Sequence, residues 1–145
     1  MSGLNGVLAM MAVAVGLSGI TTGAWLSEGT AAQPPAVTAA TAWLAEVDAG
    51  RYGASWDQAA ALFRGAVTKA QWEQQLGAVR GPLGKLQSRQ VRSTQSAKSL
   101  PGAPDGDYVV IELAASYEHK QQATETVTAL LEKDGRWRVA GYFIR

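Results

Sequence analysis

The chain has 145 residues, of which 47% are hydrophobic and 17% are charged, and its formal net charge is +1. This length and balance predict one globular domain with an ordinary core, and the near-neutral charge argues against a general nucleic-acid binder. The sequence contains no cysteine, which excludes disulfides, thiol catalysis, lipoprotein acylation and thiolate metal sites.

The N-terminal residues have the pattern of an export signal. Residues 7–15 (VLAMMAVAV) form an unbroken apolar run, and Thr30 and Ala32 stand where small residues precede a signal-peptidase cut. We therefore predict that residues 1–32 are a signal peptide. A signal peptide normally begins with Lys or Arg, whereas the first basic residue here is Arg51. Either the amino terminus supplies the positive charge, or the true start lies upstream of the first methionine.

The predicted signal peptide leads through a linker at residues 33–37 into a single domain at 38–145. Export would place this domain in the periplasm or outside the cell. The alternative is an uncleaved segment, because residues 4–26 as a helix would be about 35 Å long and a hydrocarbon core is about 30 Å thick. A retained inner-membrane anchor of this kind is the only membrane contact that we expect.

Three helical segments are predicted next. Thr38 can cap the first, which ends at Gly50, a residue type that commonly adopts the left-handed conformation after a helix. The second begins near Tyr52, and its apolar stripe continues through Trp56 to Phe63 at helical spacing. Both segments therefore have a face that can pack against a sheet.

The third helix has the clearest local signal, in the stretch VTKAQWEQQLGAVRGPLG. Thr68 and Gln71 fit a capping box, in which each side chain bonds the backbone N–H of the other residue. Proline cannot continue the hydrogen-bond ladder, so the helix is predicted to end at residues 81–82. The predicted buried face consists of Trp72, Leu76 and Val79.

After Gly84 the hydrophobic period changes to two residues, which predicts strands. A polar strand (KLQSRQVRST) suits a sheet edge, where charged side chains discourage stray pairing. Two further strands are predicted at 108–117 and 124–132, and the chain closes with the strand in RWRVAGYFIR. Consecutive strands joined by short turns predict a four-stranded antiparallel meander.

The turn before the last strand sets its register. A three-residue loop at residues 133–135, with Gly135 left-handed, gives a continuous apolar face, whereas a two-residue loop would mix apolar and charged residues. The preferred register pairs Leu131 with Trp137, Ala129 with Val139 and Val127 with Gly141. It predicts that Trp137, Val139 and Phe143 face the helices, and that the arginines at 136 and 138 face water.

These elements predict an α+β fold, in which three N-terminal helices pack on one face of a curved four-stranded antiparallel sheet. The stretches WLAEVDAGRYGASW, LPGAPDGDYVVIEL and ETVTALLEKDGRWRVAGYFIR resemble the bacterial family called domain of unknown function 4019. The resemblance implies short, exported or membrane-associated bacterial proteins with no assigned activity. AGRYGASW and DGRWRVAGY are also similar, more loosely, to the nuclear transport factor two-like or cystatin-like cone fold. That superfamily includes isomerases, dehydratases and binding domains, so the fold alone would not settle function.

Few residues suggest catalysis. His119 is the only histidine and falls in a predicted turn, and no acidic cluster has metal-ligand spacing, so we predict no metal site and no cofactor. Glu125 is predicted to face inward, where an ionised carboxylate needs a partner. It is either an ion-pair partner of Arg89, Arg92 or Arg145, or a pocket carboxylate that acts as a general base.

Two sets of residues are candidates for binding. The aromatic and acidic residues predicted near the helix–sheet cleft either pack in the core or line a ligand pocket, and they are Tyr52, Trp56, Trp72, Tyr117 and Glu125. The apolar residues predicted on the outer sheet face could dock a partner or a second copy of the chain. They are Val110, Leu130, Ala140, Tyr142 and Ile144.

The leading interpretation is an exported, non-catalytic domain that binds a small molecule or an envelope protein, through the helix–sheet cleft or the outer sheet face. The alternative is a cone-fold enzyme that acts on a small hydrophobic substrate with Glu125 as its general base. An envelope assembly protein that works through the sheet face is a third class.

Overall fold

The structure is a computed structural model that describes residues 34–145. The helices are α1 (Pro35–Asp48), α2 (Tyr52–Asp57), α3 (Ala61–Ala66) and α4 (Lys69–Leu83), and the strands are β1 (Leu86–Ala97), β2 (Asp107–Tyr117), β3 (Lys120–Leu131) and β4 (Trp137–Ile144). The strands pair antiparallel in the order β1-β2-β3-β4. The predicted α+β meander is therefore confirmed.

The predicted signal peptide and the first residue of the predicted linker, residue 33, lie outside the described residues. The rest of that linker is described, and residues 35–37 form the first turn of α1 instead of a linker. Within residues 34–145, no helix has the length and apolar character needed to span a bilayer.

Helix α1 begins before the predicted cap. Pro34 is the N-cap residue and Pro35 occupies the first helical position, where the fixed φ of proline suits a helix and its missing N–H is not needed. Thr38 lies inside the helix, so its prediction as a cap is wrong. The end is as predicted, because α1 stops at Asp48 and Gly50 follows with φ +79°.

The second predicted helix is two short helices. The helical conformation is interrupted after α2, and Ala60 adopts an extended conformation before α3 begins. The backbone N–H of Ala60 donates to the carbonyl of Val139 in β4 at 2.8 Å. Because this N–H bonds the sheet, it cannot take part in a continuous helix, and tertiary pairing overrides the helical period that runs from Tyr52 to Phe63.

Helix α4 has the predicted capping box, with both hydrogen bonds formed between Thr68 and Gln71. Trp72 and Leu76 are fully buried, whereas Val79 is half-buried at the edge of the core. The helix ends at Leu83, slightly beyond the predicted end, because Pro82 is accommodated in its last turn. Gly84 then stops it with φ +75°, a conformation that favours glycine.

The last strand follows the predicted register only at its start. Gly135 has φ +82°, and Leu131 pairs with Trp137 and Ala129 with Val139, as predicted. A bulge then inserts Ala140 as an extra residue. The pairs that follow are Thr128 with Gly141, Val127 with Tyr142 and Glu125 with Ile144. The predicted pairing of Val127 with Gly141 is therefore wrong.

This bulge reverses the inward and outward alternation for the rest of β4. Tyr142 and Ile144 join the hydrophobic core, so their predicted placement on the outer sheet face is wrong. Phe143, predicted to face the helices, points to the other face and is half-buried. The single extra residue thus places Tyr142 in the core, where Phe143 was predicted to lie, and turns Phe143 to the outer face.

Aromatic rings fill the space between the helices and the sheet. Trp72 is 0% exposed and lies 4.8 Å from Phe63 in an edge-to-face contact, 5.9 Å from Trp43 and 6.4 Å from Tyr142, measured between ring centroids. Edge-to-face and tilted aromatic pairs add to the free energy of burying their area. The centre of the helix–sheet cleft is therefore solid core.

Candidate functional site

Six polar side chains meet at the end of the cleft where α1 and α4 finish, and we call them the buried polar cluster; four are buried, Arg89 is half-buried and Asp48 lies at the exposed edge. They come from α1, α4 and all four strands, and they are Asp48, Arg80, Arg89, Tyr117, Glu125 and Tyr142. Strand alternation turns those of β1, β2 and β3 inward. The bulge in β4 turns Tyr142 to the same side.

Glu125 is 0% exposed and uses both carboxylate oxygens. Arg89 donates from Nε to Oε1 at 2.6 Å and from Nη2 to Oε2 at 3.2 Å. The hydroxyl of Tyr117 donates to Oε2 at 2.9 Å, and the hydroxyl of Tyr142 donates to the same oxygen. Of the three predicted partners, Arg89 forms the ion pair, whereas Arg92 and Arg145 are exposed.

Asp48 extends the ion pair to the helices. It accepts from Arg89 Nη1 at 2.6 Å and Nη2 at 2.9 Å, and from Arg80 Nη2 at 2.8 Å. Burial alone would raise the pKa of Asp48, but the hydrogen bonds from Arg89 and Arg80 outweigh it and lower the pKa. The cluster therefore holds two guanidinium groups against two carboxylates, and its formal charges cancel.

The two tyrosines act as neutral donors. Burial is the main reason that the pKa of Tyr142 lies well above its ordinary value, and the nearby charge of Glu125 is the second reason. The same two causes raise the pKa of Tyr117 to about 12. Both hydroxyls therefore keep their protons and their hydrogen bonds at neutral pH.

We expect this arrangement to make the protein alkali-sensitive. Because the folded-state pKa values of Tyr117 and Tyr142 are raised, their contribution to stability is complete below the ordinary tyrosine pKa of about 10 and is lost as the pH rises above it. The measurement is the free energy of unfolding in urea between pH 8 and pH 11. Tyr142→Phe cannot ionise at that position, so its stability should fall less steeply. An equal slope for Tyr142→Phe and wild type would contradict this role of Tyr142.

The structure does not gather the predicted ligand-pocket residues around one cavity. Trp72 and Tyr117 are fully buried in the core, and the Trp72 indole N–H donates to Ser55 Oγ at 2.9 Å. Trp56 is half-buried and donates its indole N–H to the Val67 carbonyl at 2.8 Å. Tyr52 is half-buried and lines an open surface pocket of about 460 Å³ beside Asp48 and Arg80.

The outer sheet face differs from the prediction as well. Val110 and Leu130 lie there and are half-buried, while Ala140 is buried in the bulge. The loop between β1 and β2 covers part of this face, because the Tyr108 hydroxyl donates to the Pro104 carbonyl at 2.6 Å. With Tyr142 and Ile144 turned into the core, the apolar outer surface is smaller than predicted.

An open groove of about 700 Å³ runs over β1, β2 and the start of β3. The side chains that line it are mainly short or polar, and they include Ser88, Gln90, Arg92, Ser116, Gln122 and Thr124. Residues 34–145 contain no group of three histidine or acidic side chains able to hold a metal ion. His119 is exposed in the turn between β2 and β3.

Sequence reasoning missed Asp48 and Arg80. A signal for Arg80 was present, because it extends a buried stripe by one helical turn, following Trp72 and Leu76 at four-residue spacing. Asp48 follows Leu44 at the same spacing but is exposed at the end of α1, so its signal was weaker. A charged residue at a core position of a helix indicates a buried partner.

A family model described as "Protein of unknown function (DUF4019)" matches residues 39–142. Neither the curated proteins nor the solved structures contain a match. The matched range includes α2, α3, α4, the first three strands and most of α1 and β4, together with every member of the buried polar cluster. The chain therefore belongs to the DUF4019 family.

Proposed function

We propose that this chain is an exported, non-catalytic binding domain. The observation that carries the proposal concerns Glu125, the strongest candidate for a general base: its carboxylate is already fully engaged in hydrogen bonds within the protein. Both of its oxygens accept hydrogen bonds from Arg89, Tyr117 or Tyr142, and the residue is 0% exposed. A general base must reach the proton that it removes, and this carboxylate has neither access to substrate nor an oxygen without a partner.

Because the core between the helices and the sheet is closely packed, we expect a ligand to bind on the outside of the domain. Because aromatic rings fill the helix–sheet cleft, a ligand would bind in the open groove over β1 and β2 or in the open pocket beside Tyr52. The uncharged apolar run at residues 7–15 supports export. The likeness to the cone fold, which also hosts binding domains, is part of the same proposal.

The test separates binding from turnover. The purified protein is screened by thermal shift against metabolites, lipids, sterols and cell-wall fragments, and each compound that raises the melting temperature is incubated with the protein and analysed by mass spectrometry. A ligand at a hundredfold excess over its dissociation constant stabilises the folded state by about 2.7 kcal/mol. We expect every bound compound to be recovered unchanged.

Chemical conversion of a bound compound would overturn the proposal. If Glu125→Gln abolished that conversion in a protein with unchanged circular dichroism, the enzyme alternative with Glu125 as general base would replace it. Glu112→Gln is the matched control, because it replaces the same carboxylate by the same amide at a position on the outer sheet face.

A further inference from the structure

Strand β1 has an unpaired edge along its second half. Within residues 34–145, β1 pairs only with β2, and no other element bonds the backbone of residues 93–97. Both register shifts of β1 lie before Ser93, and so do its two arginines. Charges, bulges and prolines are the devices that protect a sheet edge from stray pairing, and residues 93–97 (STQSA) contain none of them. We call these five residues the free edge of β1.

The free edge is also open on the side of the sheet that carries the core. Thr94 pairs with Ile111 of the core, and Ser96 pairs with Val109, which packs against the core. Thr94 and Ser96 are nevertheless exposed. The helices pack mainly on β3 and β4, so the second half of β1 lies beyond the part of the sheet that they cover.

An open surface pocket of about 330 Å³ lies beside the free edge. Its walls include the half-buried side chains of Val109, Leu131 and Trp137, and Ser96 lies where the pocket meets the edge. We call it the Trp137 pocket. A strand added to β1 would lie about 10 Å from β2, because neighbouring strands are about 4.8 Å apart. A phenylalanine ring on the added strand and the side chain of Val109 can close that distance between them, since Ser96 is too short to block it.

A second copy of the chain does not fit this site. Antiparallel pairing of two free edges about Gln95 would place Thr94 of one copy opposite Ser96 of the other. Both of these side chains are short and carry a hydroxyl group, so neither copy would fill the Trp137 pocket of the other. A partner with an apolar side chain at the same position buries the pocket walls and gains the free energy of that burial.

The charges around the free edge favour an uncharged partner. Lys98 and Asp107 form an ion pair at the rim of the Trp137 pocket. Arg92 precedes the free edge by one residue, and the adjacent Ser93 pairs with Glu112. Each cation beside the free edge thus has an acidic residue on the neighbouring strand. A charged side chain of a partner would find no unbalanced charge to pair with.

We propose that an extended, uncharged segment of a partner protein pairs with the free edge of β1 and inserts a large apolar side chain into the Trp137 pocket. The inference rests on the proposed binding function, because it names the kind of partner and the place where it binds. In strand addition, main-chain hydrogen bonds supply affinity and pockets for alternate side chains supply specificity. The free edge and the Trp137 pocket provide one of each.

The test is an NMR titration of the ¹⁵N-labelled protein with the pentapeptide acetyl-TFTVT-amide, whose two apolar side chains point to the same side of a strand. We expect saturable shifts of the backbone amides of residues 93–97 and of the indole N–H of Trp137. The amides of the free edge that do not bond β2 should also exchange more slowly with solvent when the peptide is bound.

A matched peptide separates the contribution of the pocket from that of the backbone. Acetyl-TSTST-amide can make the same main-chain hydrogen bonds but buries no apolar side chain. We expect it to bind at least tenfold more weakly, because the burial of one large apolar side chain corresponds to at least that factor.

A matched pair of variants decides whether the free edge is responsible. Ser96→Lys places an inward-pointing charge on the edge, a device with which natural sheets prevent pairing. Because Ser96 is exposed, the variant should keep its fold, and we expect it to bind acetyl-TFTVT-amide at least tenfold more weakly. Ser88→Lys is the control, since it makes the same change in the exposed first half of β1, and it should leave binding unchanged.

Four outcomes would overturn the inference: no saturable shift, shifts confined to other surfaces, equal affinity for the two peptides, or equal affinity of wild type and Ser96→Lys. Shifts of the same amides that depend on protein concentration without peptide would assign the free edge to a second copy and also overturn it. None of these results would affect the proposed function, which depends on whether a bound compound is converted. Such conversion would instead overturn the proposed function and leave the pairing of the free edge intact.

Discussion

Arg89→Ala is expected to destabilise the protein by about 3–5 kcal/mol, the range measured when one partner of a buried ion pair is removed. Arg89 is the link between Glu125 and Asp48, and its side chain is 13% exposed. Without it, Glu125 keeps two tyrosine donors but loses its only ion-pair partner in the described domain. Asp48 keeps only Arg80. The variant thus buries negative charge that nothing balances.

The measurement is the free energy of unfolding in urea, followed by circular dichroism at pH 7. Arg92→Ala is the matched control, because Arg92 lies on the same strand, is exposed, and should change stability by less than about 0.5 kcal/mol. Similar losses for the two variants would contradict the role of the buried polar cluster.

The effect of Arg89→Ala should also depend on pH. In the wild type, Arg89 and Arg80 lower the pKa of Asp48, so the stability from this pairing is present above the ordinary aspartate pKa of about 3.9 and is lost as the pH falls through the lowered value. The variant has already lost most of this pairing. The difference between wild type and variant should therefore narrow in acid, and a constant difference would point to lost packing instead of lost charge pairing.

A double variant tests whether charge imbalance is the cause. Arg89→Met combined with Glu125→Gln removes one charge of each sign and keeps side chains of similar length. Replacing a buried pair is much less costly than breaking it. We therefore expect the double variant to be more stable than Arg89→Ala, and a more damaging double variant would show that hydrogen-bond geometry, not charge balance, dominates the site.

The sequence is informative where local interactions decide the structure. The capping box at Thr68, the left-handed glycine of the last hairpin and the inward position of Glu125 all depend on residues close in the chain or on strand alternation. The break between α2 and α3 was not predictable in this way, because it depends on a backbone hydrogen bond from Ala60 to the distant Val139.

The bulge at Ala140 had one weak signal, the isolated Gly141 among the apolar residues of 139–144. The residues around it are apolar at every position, so either alternation would have given a hydrophobic face. The buried polar cluster required both this bulge, which places Tyr142, and the helix ends, which place Asp48 and Arg80. Its members are far apart in sequence, and only the folded sheet brings them together.

Trp72→Ala is the second large expected effect, with a loss of about 3–5 kcal/mol, the range for truncating a buried tryptophan. Trp72 is 0% exposed and contacts three aromatic rings, those of Trp43, Phe63 and Tyr142. The substitution leaves a cavity between α4 and β4 and removes the hydrogen bond to Ser55 Oγ. Tyr142 also belongs to the buried polar cluster, so the damage should reach the Glu125 site.

Two further variants separate packing from hydrogen bonding at Trp72. Trp72→Phe keeps most of the ring contacts and loses the indole N–H, while Ser55→Ala keeps the ring and leaves that N–H unpaired, at a cost of about 1–3 kcal/mol. If packing dominates, Trp72→Phe should be much more stable than Trp72→Ala in urea unfolding followed by circular dichroism. A loss below about 1 kcal/mol for Trp72→Ala would be incompatible with a close-packed cleft. It would reopen the space between the helices and the sheet as a ligand site, because the case for binding on the outside depends on that cleft being full.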